Sequence, residues 1–179
     1  MREIVCIRHL ATEWNRAGRL QGARDVGILR PDPATLASIH ENRQRLKAMG
    51  EMELALVSSL KRTMQTARCY GWKDAREEAL LNEFDFGVYE GRFKEDFLKI
   101  HGTEWFKDPR HMELGESMQS FDRRIREFLV QYAHVRRVLL FGHGAWIRGL
   151  TSIIVTGDLR AMNSFEIPNN EIHVVGLAE

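Results

Sequence analysis

Disulfide chemistry has little to work with in this sequence, since 179 residues include only two cysteines, Cys6 and Cys69. Two cysteines make no disulfide framework, and Cys6, inside an apolar stretch, reads as a small buried hydrophobe. Prolines number four, and no segment reads as a linker that would divide the chain. No apolar run approaches the roughly 20 residues needed to span a bilayer. The start, Met1-Arg2-Glu3, passes directly into a strand pattern with no secretory signal. Neither charge sign dominates: Lys and Arg total 26 against 25 Asp and Glu, for a formal net charge of +1. With so weak a global field, nucleic acid and anionic membranes are not expected partners, and any anion preference must come from a local cluster of cations. There is no internal repeat and no low-complexity tract. The length suits one domain over residues 1–179, and a reducing cytoplasm is the expected compartment.

What is present is an alternation of short apolar runs and helical patterns. Ile4 to Ile7, Leu54 to Val57 and Val138 to Phe141 read as buried strands. Residues 10 to 31, with three glycines and many arginines, read as a functional loop. Asp32-Pro33 opens a helix as N-cap and first helical residue, with Leu36, Ile39, Leu46 and Met49 on one face and Gly50 as its stop. A second helix follows from about Leu60 to Tyr70, and residues 75 to 79 form a short strand. Residues 80 to 91 read as loop. A helix near Phe93 to Ile100, followed by a loop holding Trp105-Phe106, forms a small helical insertion at about 88–115. Ser117 caps a helix whose Met118, Phe121, Ile125, Phe128, Leu129 and Tyr132 make a core stripe. A helix from about Ala145 to Val155, a short strand around Phe165 and a last strand at Ile172 to Val175 complete the chain. This pattern predicts an α/β fold: a three-layer α/β/α sandwich with a mostly parallel central sheet.

Three of the apolar runs stop at polar residues: Arg8-His9, Ser58-Ser59 and Gly142-His143-Gly144. Parallel strands put their carboxyl ends on one edge, where open α/β sheets bind ligands. His9 and His143 therefore meet there, with Arg8 alongside and Arg62 in the first turn of the following helix. Arginine forks match phosphate oxygens, a helix N-terminus adds amide donors, and a strand-end histidine can serve as nucleophile. Two histidines and a glutamate could in principle hold zinc, but Arg8 and Arg62 would repel a divalent cation, so neither metal nor cofactor is expected.

The residues in this order resemble the histidine phosphatase superfamily, the phosphoglycerate-mutase-like proteins. Arg8-His9-Leu10-Ala11-Thr12-Glu13-Trp14-Asn15 is similar to the nucleophile motif, and Gln21-Gly22-Ala23-Arg24-Asp25 to the loop after it. Ser58 to Ala67 is similar to the second arginine motif, Leu81 to Gly91 to the acid motif, and Gly115-Glu116-Ser117 and Gly142-His143-Gly144 complete the series. The resemblance implies that His9 takes the phosphoryl group, that Arg8, Arg62 and His143 bind phosphate and stabilise charge, and that Glu83 acts as acid and then base. It implies further substrate contacts from Asn15, Gln21 and Gly22. The expected partner is a small phosphorylated substrate, and the sequence leaves a homodimer open.

The expected activity is hydrolysis of a small phosphomonoester through a phosphohistidine on His9. Phosphoglycerate-mutase-type transfer is the first alternative. The chain is short beside those mutases, Phe84 and Phe86 stand where their acid motif has Arg and Tyr, and no matching basic pair is visible in the insertion. The two phenylalanines favour a larger or less polar leaving group. A protein-phosphohistidine phosphatase is a second alternative. A non-catalytic phosphate-binding module is a third, because Leu10 stands where the family has Gly and would restrict a backbone needing positive φ. Arg16, Arg19 and Arg24 are candidate substrate contacts, Arg148 reads as a structural ion-pair partner, and Trp105 and Phe106 line a pocket or cover a core edge.

Overall fold

A computed structural model describes residues 2–177. Five strands, β1 (Arg2–Arg8), β2 (Leu54–Val57), β3 (Arg76–Glu77), β4 (Arg137–Gly142) and β5 (Ile172–Leu177), form one sheet in the order β3-β2-β4-β1-β5. The β1–β4, β4–β2 and β2–β3 pairings are parallel, and β5 runs antiparallel on the β1 edge. Six α-helices accompany them among the described residues: α1 (Glu13–Arg16), α2 (Pro33–Met49), α3 (Lys61–Cys69), α4 (Lys94–Lys107), α5 (Met118–Gln131) and α6 (Gly144–Thr156).

Strand residues alternate between two cores because successive side chains point to opposite faces. Ile4, Cys6, Leu56, Val138 and Leu140 pack with Phe121, Ile125 and Phe128 of α5 and Trp146 and Leu150 of α6. Val5, Ile7, Val57, Leu139 and Phe141 pack on the other face with Ile39 and Leu46 of α2 and Ala67 of α3. Helices on both faces explain why the strands read as continuous apolar runs. Burial pushes the Cys6 thiol well up from its ordinary range, as fits a core thiol.

Most expected elements are present, with four differences. Asp32 does cap α2 by accepting a hydrogen bond from the Thr35 amide at 2.7 Å, but Leu36 is 55% exposed and the buried face is Ile39, Asn42 and Leu46. Asn42 is admitted because its amide donates to Tyr70 Oη and the Asn170 carbonyl. The insertion helix α4 runs on to Lys107, so Trp105 and Phe106 are helical; Gly102 does not break the helix, since Phe97 and Trp105 anchor both its ends in the core. Phe165 lies in extended chain after a 3-10 turn at Met162–Ser164 and pairs with no strand. β3 is only two residues long.

The α5 stripe holds the fold together as expected. Phe121 is fully buried and meets the Phe84 ring edge-on at a centroid distance of 5.1 Å. Phe121→Ala should therefore lower unfolding stability by about 3–5 kcal/mol, measured by urea denaturation; a change under about 1 kcal/mol would contradict this packing.

Candidate active site

The parallel register places the two histidine motifs side by side. Arg8 pairs with Gly142 across the β1–β4 ladder, and the His9 amide donates to the Gly142 carbonyl at 3.0 Å. The His9 and His143 rings consequently meet edge-on, with centroids 5.3 Å apart. A cleft of about 540 Å³ opens at this edge, lined by Arg8, His9, Asn15, Gln21, Gly22, Arg62 and Glu83 among others. A larger groove of about 750 Å³ lies at the opposite edge, between α2 and the end of α3. It holds His40 and Glu51 but none of the residues of the paired histidine and arginine motifs, so size does not locate the chemistry here.

His9 is buried, and its Nδ1 lies 2.8 Å from the Leu10 carbonyl. A carbonyl only accepts, so Nδ1 carries the proton and Nε2 keeps the lone pair. Burial, then the charges of Arg62 and Arg8, hold the ring well below the ordinary imidazole value. His9 is thus a neutral imidazole with an unprotonated Nε2, the state a nucleophile requires. The Asn169 amide donates to the His9 carbonyl at 2.8 Å and fixes the chain just beyond the ring.

Leu10 does not have the backbone that a glycine would be needed for. Among the described residues, the only non-glycine with positive φ is Asn170, at 66°. The Leu10 amide donates to Thr66 Oγ1 at 2.9 Å, and its side chain is buried in the α2–α3 core. It therefore points away from the cleft and anchors the loop that follows His9.

Arg62 is fully buried. Its Nε donates to His143 Nδ1 at 3.2 Å, and its terminal nitrogens donate to the Arg24 and Gly22 carbonyls at 2.7 and 2.8 Å. Burial pushes its pKa down to about 10, with Glu83, Asp25 and Glu90 opposing, so it remains charged at neutral pH. Because Arg62 must donate, His143 Nδ1 accepts, and His143 Nε2 donates to Ser58 Oγ at 2.7 Å. His143 is itself fully buried, behind Arg62 rather than on the cleft wall. Burial and the neighbouring cations hold it, too, well below the ordinary imidazole value.

Glu83 meets the N-terminus of α6. Its Oε1 accepts from the Phe84 and Trp146 amides and its Oε2 from the Ala145 amide, all at 3.0 Å. The helix amides expected to face phosphate are thus spent on this carboxylate. Each carboxylate oxygen has two acceptor positions, so Oε2 retains one that the Ala145 amide does not use. Arg8 donates to the Ile167 carbonyl at 2.6 Å, and its buried Nε has no partner among the described residues. A Cβ on Gly144 would lie 3.3 Å from the Arg8 guanidinium carbon, so glycine there admits the cation. Asn15 Oδ1 accepts from the Thr12 amide in a capping box, which leaves its amino end for the cleft. Gln21 Oε1 accepts from the Thr12 hydroxyl at 2.9 Å, and Gly22 contributes its carbonyl to Arg62.

Several residues of the cleft wall were not foreseen. Arg148 forms no ion pair with any carboxylate among the described residues; it lines the cleft and its buried Nε is unpartnered. Its place five residues after His143, one turn into α6, was the available signal. Lys94, at the start of the insertion helix, also lines the cleft. Burial first, and then the charges of Arg148 and Arg8, lower its pKa. Glu166 is the acid opposite them. Of the two phenylalanines, Phe86 reaches the cleft but Phe84 is wholly in the core. Trp105 is core, whereas Phe106 is 56% exposed and lines the cleft. Arg19 lines the cleft while stacked 4.3 Å over the Phe93 ring. Arg24 pairs with Glu90, and Arg16 with Glu13 on the surface.

The model of the histidine phosphatase superfamily, branch 1, matches residues 4–179, and the chain belongs to that family. It is 26% identical to phosphoserine phosphatase 1 of Hydrogenobacter thermophilus over all of this chain and 88% of the relative. It is 30% identical to a 2,3-bisphosphoglycerate-dependent phosphoglycerate mutase of Mesorhizobium japonicum over 83% of this chain and 79% of the relative. A solved structure of an open reading frame product of Mycobacterium tuberculosis shares the fold with a TM-score of 0.84 at 23% identity, over 99% of this chain and 92% of that one. The relatives are thus phosphatases and mutases of one superfamily. Among the described residues no helix is long and apolar enough to cross a membrane.

The position of Leu10 yields a direct test. Leu10→Gly should lose about 3–5 kcal/mol of stability by emptying a core site and loosening the backbone, with no gain in kcat. A glycine variant that turned over faster than the parent would show that Leu10 hinders His9.

Proposed function

We propose that this protein is a metal-independent phosphatase that hydrolyses a small phosphomonoester through a phosphohistidine on His9. The observation that supports it most is His9 itself: a neutral ring with its Nε2 lone pair free, on the wall of a cleft that also holds Arg8, Arg62 and Glu83. In the first step Nε2 attacks phosphorus, the bond to the leaving oxygen breaks, and a proton on Glu83 Oε2 passes to that oxygen. In the second, Glu83 takes a proton from water, the water oxygen attacks phosphorus, and the P–N bond breaks to release inorganic phosphate. One carboxylate serves both steps by microscopic reversibility. Phosphoryl transfer is governed by positioning and charge stabilisation, and the buried guanidiniums supply the charge that a metal supplies elsewhere.

The leaving group is inferred to carry a negative charge. The cleft wall presents Arg8, Arg19, Arg62, Lys94 and Arg148 against Glu83 and Glu166. Arg8 and Arg62 suffice for one phosphate, so Lys94 and Arg148 are left facing another part of the substrate. Of the two phenylalanines that favoured a larger or less polar leaving group, Phe84 is buried in the core and Phe86 lines the cleft. A carboxylate-bearing phosphomonoester fits this wall, as do the compounds in the names of the two relatives. Lys94 and the phosphoglycerate mutase relative favour mutase transfer as the second reading.

A panel of phosphomonoesters, assayed with a chelator and no added metal, is the direct test. Turnover should persist with chelator, and His9→Ala should lower it by about 10³-fold or more. No hydrolysis of any member, or isomer exchange faster than phosphate release with phosphoglycerates, would overturn the phosphatase reading. Arg148→Ala should reduce kcat/KM for carboxylate-bearing substrates by roughly 10- to 100-fold, as loss of a hydrogen bond to a charged group does. A smaller loss is expected for an aryl phosphate whose aryl group carries no charge, and equal losses would remove the anionic leaving group from the proposal.

A further inference from the structure

The loop that carries Gly22 to Arg24 is clasped between two buried charges. On one side is Arg62, which donates to the Gly22 and Arg24 carbonyls. On the other is Glu90, whose side chain is only 5% exposed. Glu90 Oε1 accepts from the Ala23 amide at 2.6 Å and from the Phe86 amide at 3.3 Å, and its Oε2 lies 3.3 Å from Arg24 Nε. Gly22 has φ of 51°, and a Cβ there would fall 1.9 Å from Glu90 Oε1. The loop backbone therefore rests on the carboxylate with no side chain between them. Burying a carboxylate is costly unless its bonds are well used, and burial pushes the Glu90 carboxyl up from its ordinary value.

Arg62 has five N–H donors. Three go to His143 and the two loop carbonyls, and two remain for an anion. Where those two point is set by where the carbonyls stand. The geometry points to Glu90 as the positioning residue of the phosphate site: by holding the Ala23 amide it fixes the Gly22 and Arg24 carbonyls, and through them the aim of the Arg62 guanidinium. Glu90 is not among the residues lining the cleft, so its effect on substrate is transmitted through Arg62. The assignment rests on the proposed phosphatase reading only in taking phosphate as the anion.

The test compares Glu90→Ala with Glu90→Gln, because glutamine keeps an oxygen for the Ala23 amide. Two readouts are needed: inorganic phosphate affinity by calorimetry, and the Arg62 Nε–H resonance, which reports its bond to His143 without any ligand. Glu90→Ala should weaken phosphate binding by roughly 10- to 100-fold, the scale of a misplaced contact, and shift the Arg62 signal and speed its exchange with solvent. Glu90→Gln should stay near wild type in both. An unchanged Arg62 signal in Glu90→Ala, or equal losses in the two variants, overturns the proposal. If Glu90→Ala does not fold, Glu90→Asp, which withdraws the carboxylate by one methylene, takes its place with the same expected shift and the same overturning result. A wild-type protein that hydrolyses nothing would sink the phosphatase reading but leave the Arg62 signal as a valid test of Glu90.

Discussion

A guanidinium with no exposed surface and, among the described residues, no carboxylate in direct contact is the constraint around which this site is built. Taking such a charge from water costs several kcal/mol unless its donors are satisfied. Arg62 spends three of its five donors on two backbone carbonyls and an imidazole nitrogen, and the other two are left for an anion. Each partner then acquires a fixed position. The 21–24 loop must cross above α3, His143 must present Nδ1 as an acceptor, and Ser58 must take the proton on the far side of that ring. A surface arginine would impose none of this. Placing the cation in the core converts a flexible side chain into a rigid part of the sheet edge, which is what transition-state stabilisation needs.

The acid is handled by the same logic with the opposite sign. The first turn of α6 offers amides that would serve an anion, and in many α/β folds that anion is the ligand's phosphate. Here Glu83 takes the Ala145 and Trp146 amides. On the proposed reading, phosphate recognition is left to side chains, chiefly arginines, while the helix N-terminus holds the proposed proton donor. Division of labour of this kind keeps donor and phosphate from competing for one set of amides. It also fixes the carboxylate relative to Gly144, whose missing side chain admits Arg8.

The motifs that lie on strands and strand ends were legible in the sequence because parallel pairing leaves little freedom. Once Ile4–Ile7 and Val138–Phe141 are neighbours, His9 and His143 must meet, and the register at Arg8 and Gly142 bears this out. Caps were equally legible, since Asp32 and Ser117 each bond the amide three residues on. What was not legible depended on long-range packing. Nothing local distinguishes Arg148, half-buried in the cleft wall and in no ion pair among the described residues, from an arginine of an ordinary ion pair. Lys94 reaches the cleft because the insertion folds back over it, with the Lys94 amide bonded to the Gly18 carbonyl. Phe84 and Phe86 are two residues apart in a loop, where no periodicity says which faces the core. The strand expected around Phe165 is absent: the chain there is extended but pairs with no strand, and β5 takes the β1 edge.

Leu10 shows how a departure from a family pattern is to be weighed. A glycine is irreplaceable where φ is positive or where another group must approach closely. Leu10 meets neither condition, because its φ is ordinary and its side chain is received by the α2–α3 core. The groups that do approach His9 come from elsewhere: Asn169 at its carbonyl, Leu10's own carbonyl at Nδ1, and the arginines around the ring. A larger residue at this position adds apolar burial beneath the nucleophile loop without entering the cleft. A side chain that the chain turns into the core leaves the cleft unobstructed, so the weight of such a departure rests on the direction of the side chain, not on its distance along the sequence.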